Sequence, residues 1–220
     1  MAVRERIDEA ARAAGRSADD LTLIAVTKFH PASLLRELAA LGLTDVGESR
    51  HQEAREKVDE LADLDLTWHF IGQLQSKKAR QVAAYASVIH SIDRAQLADL
   101  VATSERVQAG AVIDCFVQVN LTDDPDRGGV APADAEPLAA HIEGLPGLQL
   151  LGVMAVAPND GEPRAAFERL RRVSMEVRQT APRASAISAG MSNDFAEAIA
   201  EGATHLRIGS AITGNRPVRR

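Results

Sequence analysis

The chain has 220 residues, 45% of them hydrophobic, enough to bury the core of one domain spanning residues 1–220. A formal net charge of −6 argues against a nucleic-acid partner, and aromatics at 3% argue against a base-stacking platform or an aromatic cage. No apolar run approaches the ~20 residues of a membrane helix, and the N-terminus lacks the apolar centre of a secretory signal, so a cytoplasmic protein with no membrane contact is expected.

The elements follow in chain order. Val3, Ile7, Ala10, Ala11 and Ala14 recur at helical spacing, which predicts an extra helix over 3–14. An apolar strand at 21–27 stops on Lys28. Pro31 opens a helix over 32–41, where a missing N–H costs least. A strand at 44–47 leads into a charged helix reaching about Ala62. That helix reads as a solvated face with i,i+4 pairs such as Glu53 with Lys57. A third strand, 67–71, precedes a helix from Ser76, its expected N-cap, to Tyr85. A fourth strand, 87–92, ends at Asp93, which is expected to cap a helix over 94–106. The fifth strand, 111–120, reads as the longest and most apolar. It carries the lone Cys115, an expected core thiol. A loop over 122–129 precedes a helix at 133–143. Then come a strand at 148–156, a helix at 163–179, a strand at 185–189 and a helix at 193–201. The last strand is 205–208, with a short helix from Ser210. The basic tail Arg216–Arg220 reads as frayed.

Eight apolar strands, nearly all followed by a helix, predict a parallel sheet covered on both faces. In this length they predict one closed (β/α)8 barrel of the TIM type. An open doubly wound sheet would carry a glycine fingerprint after the first strand, and Thr27-Lys28-Phe29-His30-Pro31 does not supply one.

In such a barrel the chemistry sits at the C-terminal strand ends. A strand-end lysine is ordinarily a solvated charge. Lys28, however, follows six apolar or β-branched residues, so its amine is expected to be partly desolvated and suited to imine formation. Ser188 to Ser192 and Arg207 to Ser210 form two glycine- and serine-rich turns after the last two strands. That is where barrels place a phosphate, on backbone N–H groups and a short helix N-terminus. The alternative reading is that Ser192-Asn193-Asp194 simply caps the next helix. Arg207 can face the barrel interior or the helix layer. His69 and His90 read as hydrogen-bonded structural residues. No histidine pair has zinc-ligand spacing, so no metal is expected.

Several motifs together resemble the pyridoxal phosphate homeostasis proteins, the barrel-only, alanine-racemase-like family that binds pyridoxal 5'-phosphate (PLP). They are Ala25-Val-Thr-Lys28, Val46-Gly-Glu-Ser49, Trp68-His-Phe-Ile-Gly-Gln-Leu-Gln75, His90-Ser-Ile-Asp93, Gly152-Val-Met154, Ser188-Ala-Gly-Met-Ser-Asn-Asp194 and Arg207-Ile-Gly-Ser-Ala-Ile212. The resemblance implies a PLP carrier that holds the cofactor on Lys28 as a Schiff base, supplies it to apo-enzymes through transient contact, and has no strong catalytic turnover. It implies phosphate contacts from Ser192, Gly209 and Ser210, Arg207 facing the pyridine nitrogen, Met154 packing near the ring, and Ser49 at a further cofactor position. A monomer is expected.

Three positions depart from the family pattern. Ser49 stands where asparagine is usual, Thr213 where an aromatic is frequent, and Arg127 near a frequent loop lysine. An arginine does not form an imine there, so a transfer step through that lysine is not expected. The rival reading is a PLP-dependent amino-acid racemase. It needs a second base opposite the lysine, and the only tyrosine, Tyr85, falls in a predicted helix. A third reading is a barrel for another phosphorylated metabolite.

Overall fold

Runs of aliphatic and β-branched residues form eight strands: β1 Thr22–Val26, β2 Asp45–Glu48, β3 Thr67–Phe70, β4 Val88–Ile92, β5 Ile113–Gln118, β6 Leu148–Met154, β7 Ala186–Ser188 and β8 His205–Ile208. In the computed structural model each pairs in parallel with the next, and β8 pairs back onto β1, closing the barrel. The structure describes residues 2–122, 124–158 and 161–214; the basic tail at 216–220 lies outside them. All five residues of β4 are buried, as expected for strands covered on both faces.

The helices are α1 Ala2–Ala13, α2 Ala32–Ala40, α3 His51–Glu60, α4 Ala79–Ala83, α5 Ala95–Ala102, α6 Glu105–Gln108, α7 Ala135–Glu143, α8 Pro163–Thr180, α9 Phe195–Ala200 and α10 Ser210–Thr213. The extra α1 buries Ile7 and Ala11. Nearby, Arg16 ties the chain to the carbonyls of Ile199 and Ala203, at 3.1 and 2.6 Å. One apolar layer fills the space between strands and helices. A small separate cluster of Val88, Phe116 and Met154 adjoins a group of histidine rings.

Several local expectations are corrected. The helix expected over 94–106 is two helices. The Thr103 hydroxyl donates back to the Asp99 carbonyl at 2.7 Å, and Ser104 is extended at the N-cap of α6. Asp93 does not cap α5; Arg94 holds that position, and its guanidinium engages the Asp93 carboxylate at 2.5 Å. Ser76 is not an N-cap either. Gln75 is, and the segment opens as a 3-10 turn over Ser76–Lys78 before α4. The Ser76 hydroxyl instead donates to Gln96 and accepts from Arg94. At seven residues β6 is longer than β5, because Val112 is exposed and Val119 leaves the strand to bridge Val130. The helix expected from 193 begins at Phe195. Asp194 holds the N-cap position of α9 without a side-chain cap bond to the helix; its carboxylate instead accepts from the Met191 N–H at 2.5 Å, closing the preceding turn.

Candidate functional site

A cavity of about 700 Å³ opens at the C-terminal ends of β1, β7 and β8, lined by Lys28, Ser49, Ser192, Arg207, Gly209 and Ser210. Six of the seven residues singled out from the sequence thus come together. Met154 is not among the lining residues. It is 1% exposed, packed with Val88 and Phe116.

Lys28 is half-buried, two residues beyond the last residue of β1. Both of its neighbours are held by the β2–α3 unit. On one side, the buried Thr27 donates its hydroxyl to Glu48 Oε1 at 2.7 Å. Lys57 Nζ donates to the same oxygen at 2.6 Å and to the Thr27 carbonyl at 2.9 Å. On the other side, Phe29 has φ 70°, a left-handed conformation that costs roughly 1–3 kcal/mol for a bulky residue. Its N–H donates to Glu53 Oε2 at 3.2 Å, and the Arg50 guanidinium lies 5.2 Å from its ring centre.

The solvated Glu53–Lys57 pair is therefore corrected. Lys57 is 7% exposed and turns inward onto Glu48, while Glu53 serves Phe29 and pairs with Arg50 at 2.7 Å. A strand-end carboxylate requires a cation once it is buried, and among the described residues Lys57 in the following helix is the one that pairs with it. Burial pushes the Glu48 carboxyl above the usual carboxylate range, against the pull of Lys57 and Thr27. Glu48 Oε2 is buried without a hydrogen-bond partner among the described residues.

Ser49 owes its place to a close backbone approach. A Cβ on Gly72 would stand 2.2 Å from the Ser49 carbonyl oxygen, so only glycine fits beside it. After β7 the loop crosses α9 at Gly190, whose φ is 92° and whose Cβ would meet Ala198 Cβ at 2.9 Å. It then brings Ser192 to the start of α10, where its Oγ accepts from the Ala211 N–H at 3.3 Å. Gly209 is the N-cap of α10, and Ser210 begins it, exposed toward the cavity.

Arg207 faces inward and is 4% exposed. Its Nη1 donates to Ser188 Oγ at 2.5 Å and its Nη2 to the Ala155 carbonyl at 2.8 Å. Burial pulls its pKa down to about 10, with Asp194 opposing, so the guanidinium stays charged at neutral pH. Behind it, His90 Nδ1 lies 2.9 Å from Ser188 Oγ, and His90 Nε2 lies 2.9 Å from His69 Nδ1. Burial, then the nearby His69, Arg207 and His205, hold His90 well below the usual histidine range. Neither His69 nor His90 lines the cavity. Among the described residues no group of His, Cys, Asp and Glu could hold a metal ion.

The donor set is one primary amine, three serine hydroxyls, backbone N–H groups at the start of α10 and a buried guanidinium. Such a set suits a ligand that carries an aldehyde at one end and a multiply charged anion at the other.

Residues 1–217 match the family of the alanine racemase N-terminal domain. A pyridoxal phosphate homeostasis protein of Pseudomonas aeruginosa is 43% identical over 218 residues, covering 97% of this chain and 93% of the relative. Its namesake in Escherichia coli K12 is 36% identical over 220 residues, covering 97% and 94%. The chain belongs to the pyridoxal phosphate homeostasis protein family. PipY of Synechococcus elongatus, solved with PLP bound, superposes with a TM-score of 0.83 at 38% identity, covering 94% of this chain and all of that one. The alanine racemase of Corynebacterium glutamicum gives a TM-score of 0.74 at 16% identity over 62% of its chain, a likeness of fold alone.

In this member of the homeostasis protein family, Ser49 and Thr213 both line the cavity. Arg127 donates to the carbonyl of Ala157, itself a lining residue, at 3.3 Å. Tyr85 stands away from the cavity, stacked on His51 with ring centres 5.9 Å apart, and burial pushes its phenol well above the usual range.

Proposed function

We propose that this chain is a PLP-binding protein of intracellular PLP homeostasis, holding the cofactor on Lys28 as a Schiff base and supplying it to apo-enzymes. The observation that carries this reading is the convergence of Lys28, Ser192, Gly209, Ser210 and Arg207 on one cavity. When bound, PLP supplies a reactive aldehyde and an electron-withdrawing ring.

The remaining work falls to the chain's own residues. Thr27 and Phe29, tethered to β2 and α3, aim the Lys28 amine. Ser192, Ser210 and the backbone after Gly209 receive the phosphate. Ser49 contacts the cofactor from the rim. Arg207 donates toward the pyridine nitrogen. A guanidinium offers donors and no acceptor, so a ring nitrogen facing it stays unprotonated and the ring is a weak electron sink. Met154 supports the floor from the layer beneath. No strong turnover is expected, because a ring that is a weak electron sink does little to stabilise a carbanion. The protein is expected to act as a monomer. Recipient apo-enzymes in the cytoplasm then make only transient contact with it.

Adding PLP to purified protein tests this reading. A new absorbance band and a stability gain of about 2.7 kcal/mol at a hundredfold excess over Kd are expected. Neither band nor gain would return the cavity to another phosphorylated metabolite. Rapid racemisation of added amino acids would favour an enzyme.

A further inference from the structure

Five polar residues line up through the barrel. Arg207 Nη1 meets Ser188 Oγ at 2.5 Å, and Ser188 Oγ meets His90 Nδ1 at 2.9 Å. His90 Nε2 meets His69 Nδ1 at 2.9 Å, and His69 Nε2 meets Asp45 Oδ1 at 2.9 Å. They come from β8, β7, β4, β3 and β2. The line begins at the cavity and ends at the first residue of β2, on the opposite rim. We propose that Ser188, His90, His69 and Asp45 form one directional hydrogen-bond chain that orients Arg207, and that the Asp45 carboxylate holds the chain in that direction.

The direction follows from donor accounting. A guanidinium only donates, so Ser188 Oγ accepts from Arg207 and must place its own proton elsewhere. Ser188 is fully buried, and its other side-chain partner is His90 Nδ1. An unmet buried O–H costs about 1–3 kcal/mol. His90 Nδ1 is therefore an acceptor, and the ring is neutral with its proton on Nε2. That proton points at His69 Nδ1, which accepts in turn. His69 then carries its proton on Nε2 and gives it to Asp45, an acceptor-only group when ionised. All four links run one way, from a cation to an anion through two neutral rings, and each bond polarises the next.

The reverse direction would require a proton on His90 Nδ1. Ser188 Oγ would then face two donors with no partner for its own hydrogen. The surroundings agree with neutral rings. Phe116 of β5 stacks on His90 at 4.6 Å between ring centres. His205 of β8 lies 6.4 Å from His90, and its Nδ1 is engaged by Thr204 Oγ1 at 2.8 Å. Burial holds both His90 and His205 below the usual histidine range.

Asp45 is the accessible end, its side chain 32% exposed, so it can be replaced without opening the core. Without its carboxylate each direction leaves one buried hydrogen unmet, and the two become comparable. In the reversed direction Arg207 Nη1 shares Ser188 Oγ with a second donor, the His90 Nδ1–H, and that bond weakens beside the one to the Ala155 carbonyl.

The test is long-range nitrogen-15 NMR of the histidines in the PLP-free protein, so its outcome does not depend on the proposed function. In the wild type both His69 and His90 should be neutral with the proton on Nε2. In Asp45→Leu, with thermal stability confirming the fold, a second tautomer should emerge at both rings. Asp45→Asn keeps an acceptor oxygen and should restore the wild-type pattern. A proton on His90 Nδ1 in the wild type, a charged His90, or a His90 spectrum unchanged in Asp45→Leu would each overturn the proposal. A parallel readout rests on PLP binding. Asp45→Leu should weaken it about three- to tenfold, the worth of one net hydrogen bond, and Asp45→Asn should recover it. A protein that binds no PLP would refute the proposed function alone, and the tautomers would still decide the chain.

Discussion

Lys57→Met isolates the brace beside Lys28. The wild-type amine is buried, 2.6 Å from Glu48 Oε1 and 2.9 Å from the Thr27 carbonyl. The thioether keeps the volume and removes both bonds. Glu48, 1% exposed, is left with the Thr27 hydroxyl as its side-chain donor among the described residues. Removing one partner of a buried ion pair costs about 3–5 kcal/mol. At roughly 2–4 °C per kcal/mol for a chain of this size, Tm should fall by about 6–20 °C.

The loss should depend on pH. The folded Glu48 carboxyl already sits above its ordinary range, and without Lys57 it rises further. The folded variant then holds a proton that the unfolded chain releases. Its stability therefore falls as pH rises above the ordinary carboxylate range. Urea unfolding at pH 5 and pH 8 should show the larger deficit at pH 8. Lys57→Met combined with Glu48→Gln should recover most of it, since no buried charge is then left alone. PLP capture should slow in the single variant, because the Thr27 carbonyl is released. A deficit below about 1 kcal/mol, equal at both pH values, would refute the buried pair as the element that fixes this turn.

Ser210→Asp should repel the phosphate dianion and weaken PLP far more than unphosphorylated pyridoxal; equal losses measured by titration would place the phosphate elsewhere. Arg207→Glu places a carboxylate beside the pyridine nitrogen. Slow transamination or α-proton exchange with added amino acids should then emerge by NMR, whereas robust racemase turnover by the wild type would contradict the assignment of Arg207. Burial, before any nearby charge, pulls the His205 pKa down to about 4 in the folded chain, against 6.5 for the free side chain. The unfolded chain binds the extra proton between those values, so stability should fall by up to about 3 kcal/mol as pH drops from 6.5 to 4. His205→Gln should flatten that slope in urea titrations.

The barrel and most of the cavity were legible because they rest on local signals. Each strand is a short apolar run, and a closed parallel barrel carries every C-terminal strand end to one rim. Lys28, Ser192, Gly209 and Ser210 could thus be placed together without a contact map. Lys57 was misread because α3 is charged all round, and its i,i+4 spacing to Glu53 looked like surface pairing. The signal lay one element earlier, in Glu48 at the end of an apolar strand, a carboxylate that needs a cation. His69 and His90 were legible as strand residues, but their pairing depends on the register of β3 on β4, which spacing along the chain does not encode. Asp45 carried no signal at all, being one acid among many until the barrel brought it under His69. The break after α5 could have been read from Thr103-Ser104, two residues whose hydroxyls compete for helix backbone groups.

The most direct measurement is borohydride reduction of the PLP-treated protein followed by peptide mass mapping. The chain has only four lysines, Lys28, Lys57, Lys77 and Lys78, so assignment is unambiguous among them. A reduced phosphopyridoxyl group is expected on the peptide containing Lys28, and its loss, with the absorbance band, in Lys28→Ala. Stoichiometric label on Lys77 or Lys78, or a band that survives Lys28→Ala, would contradict it.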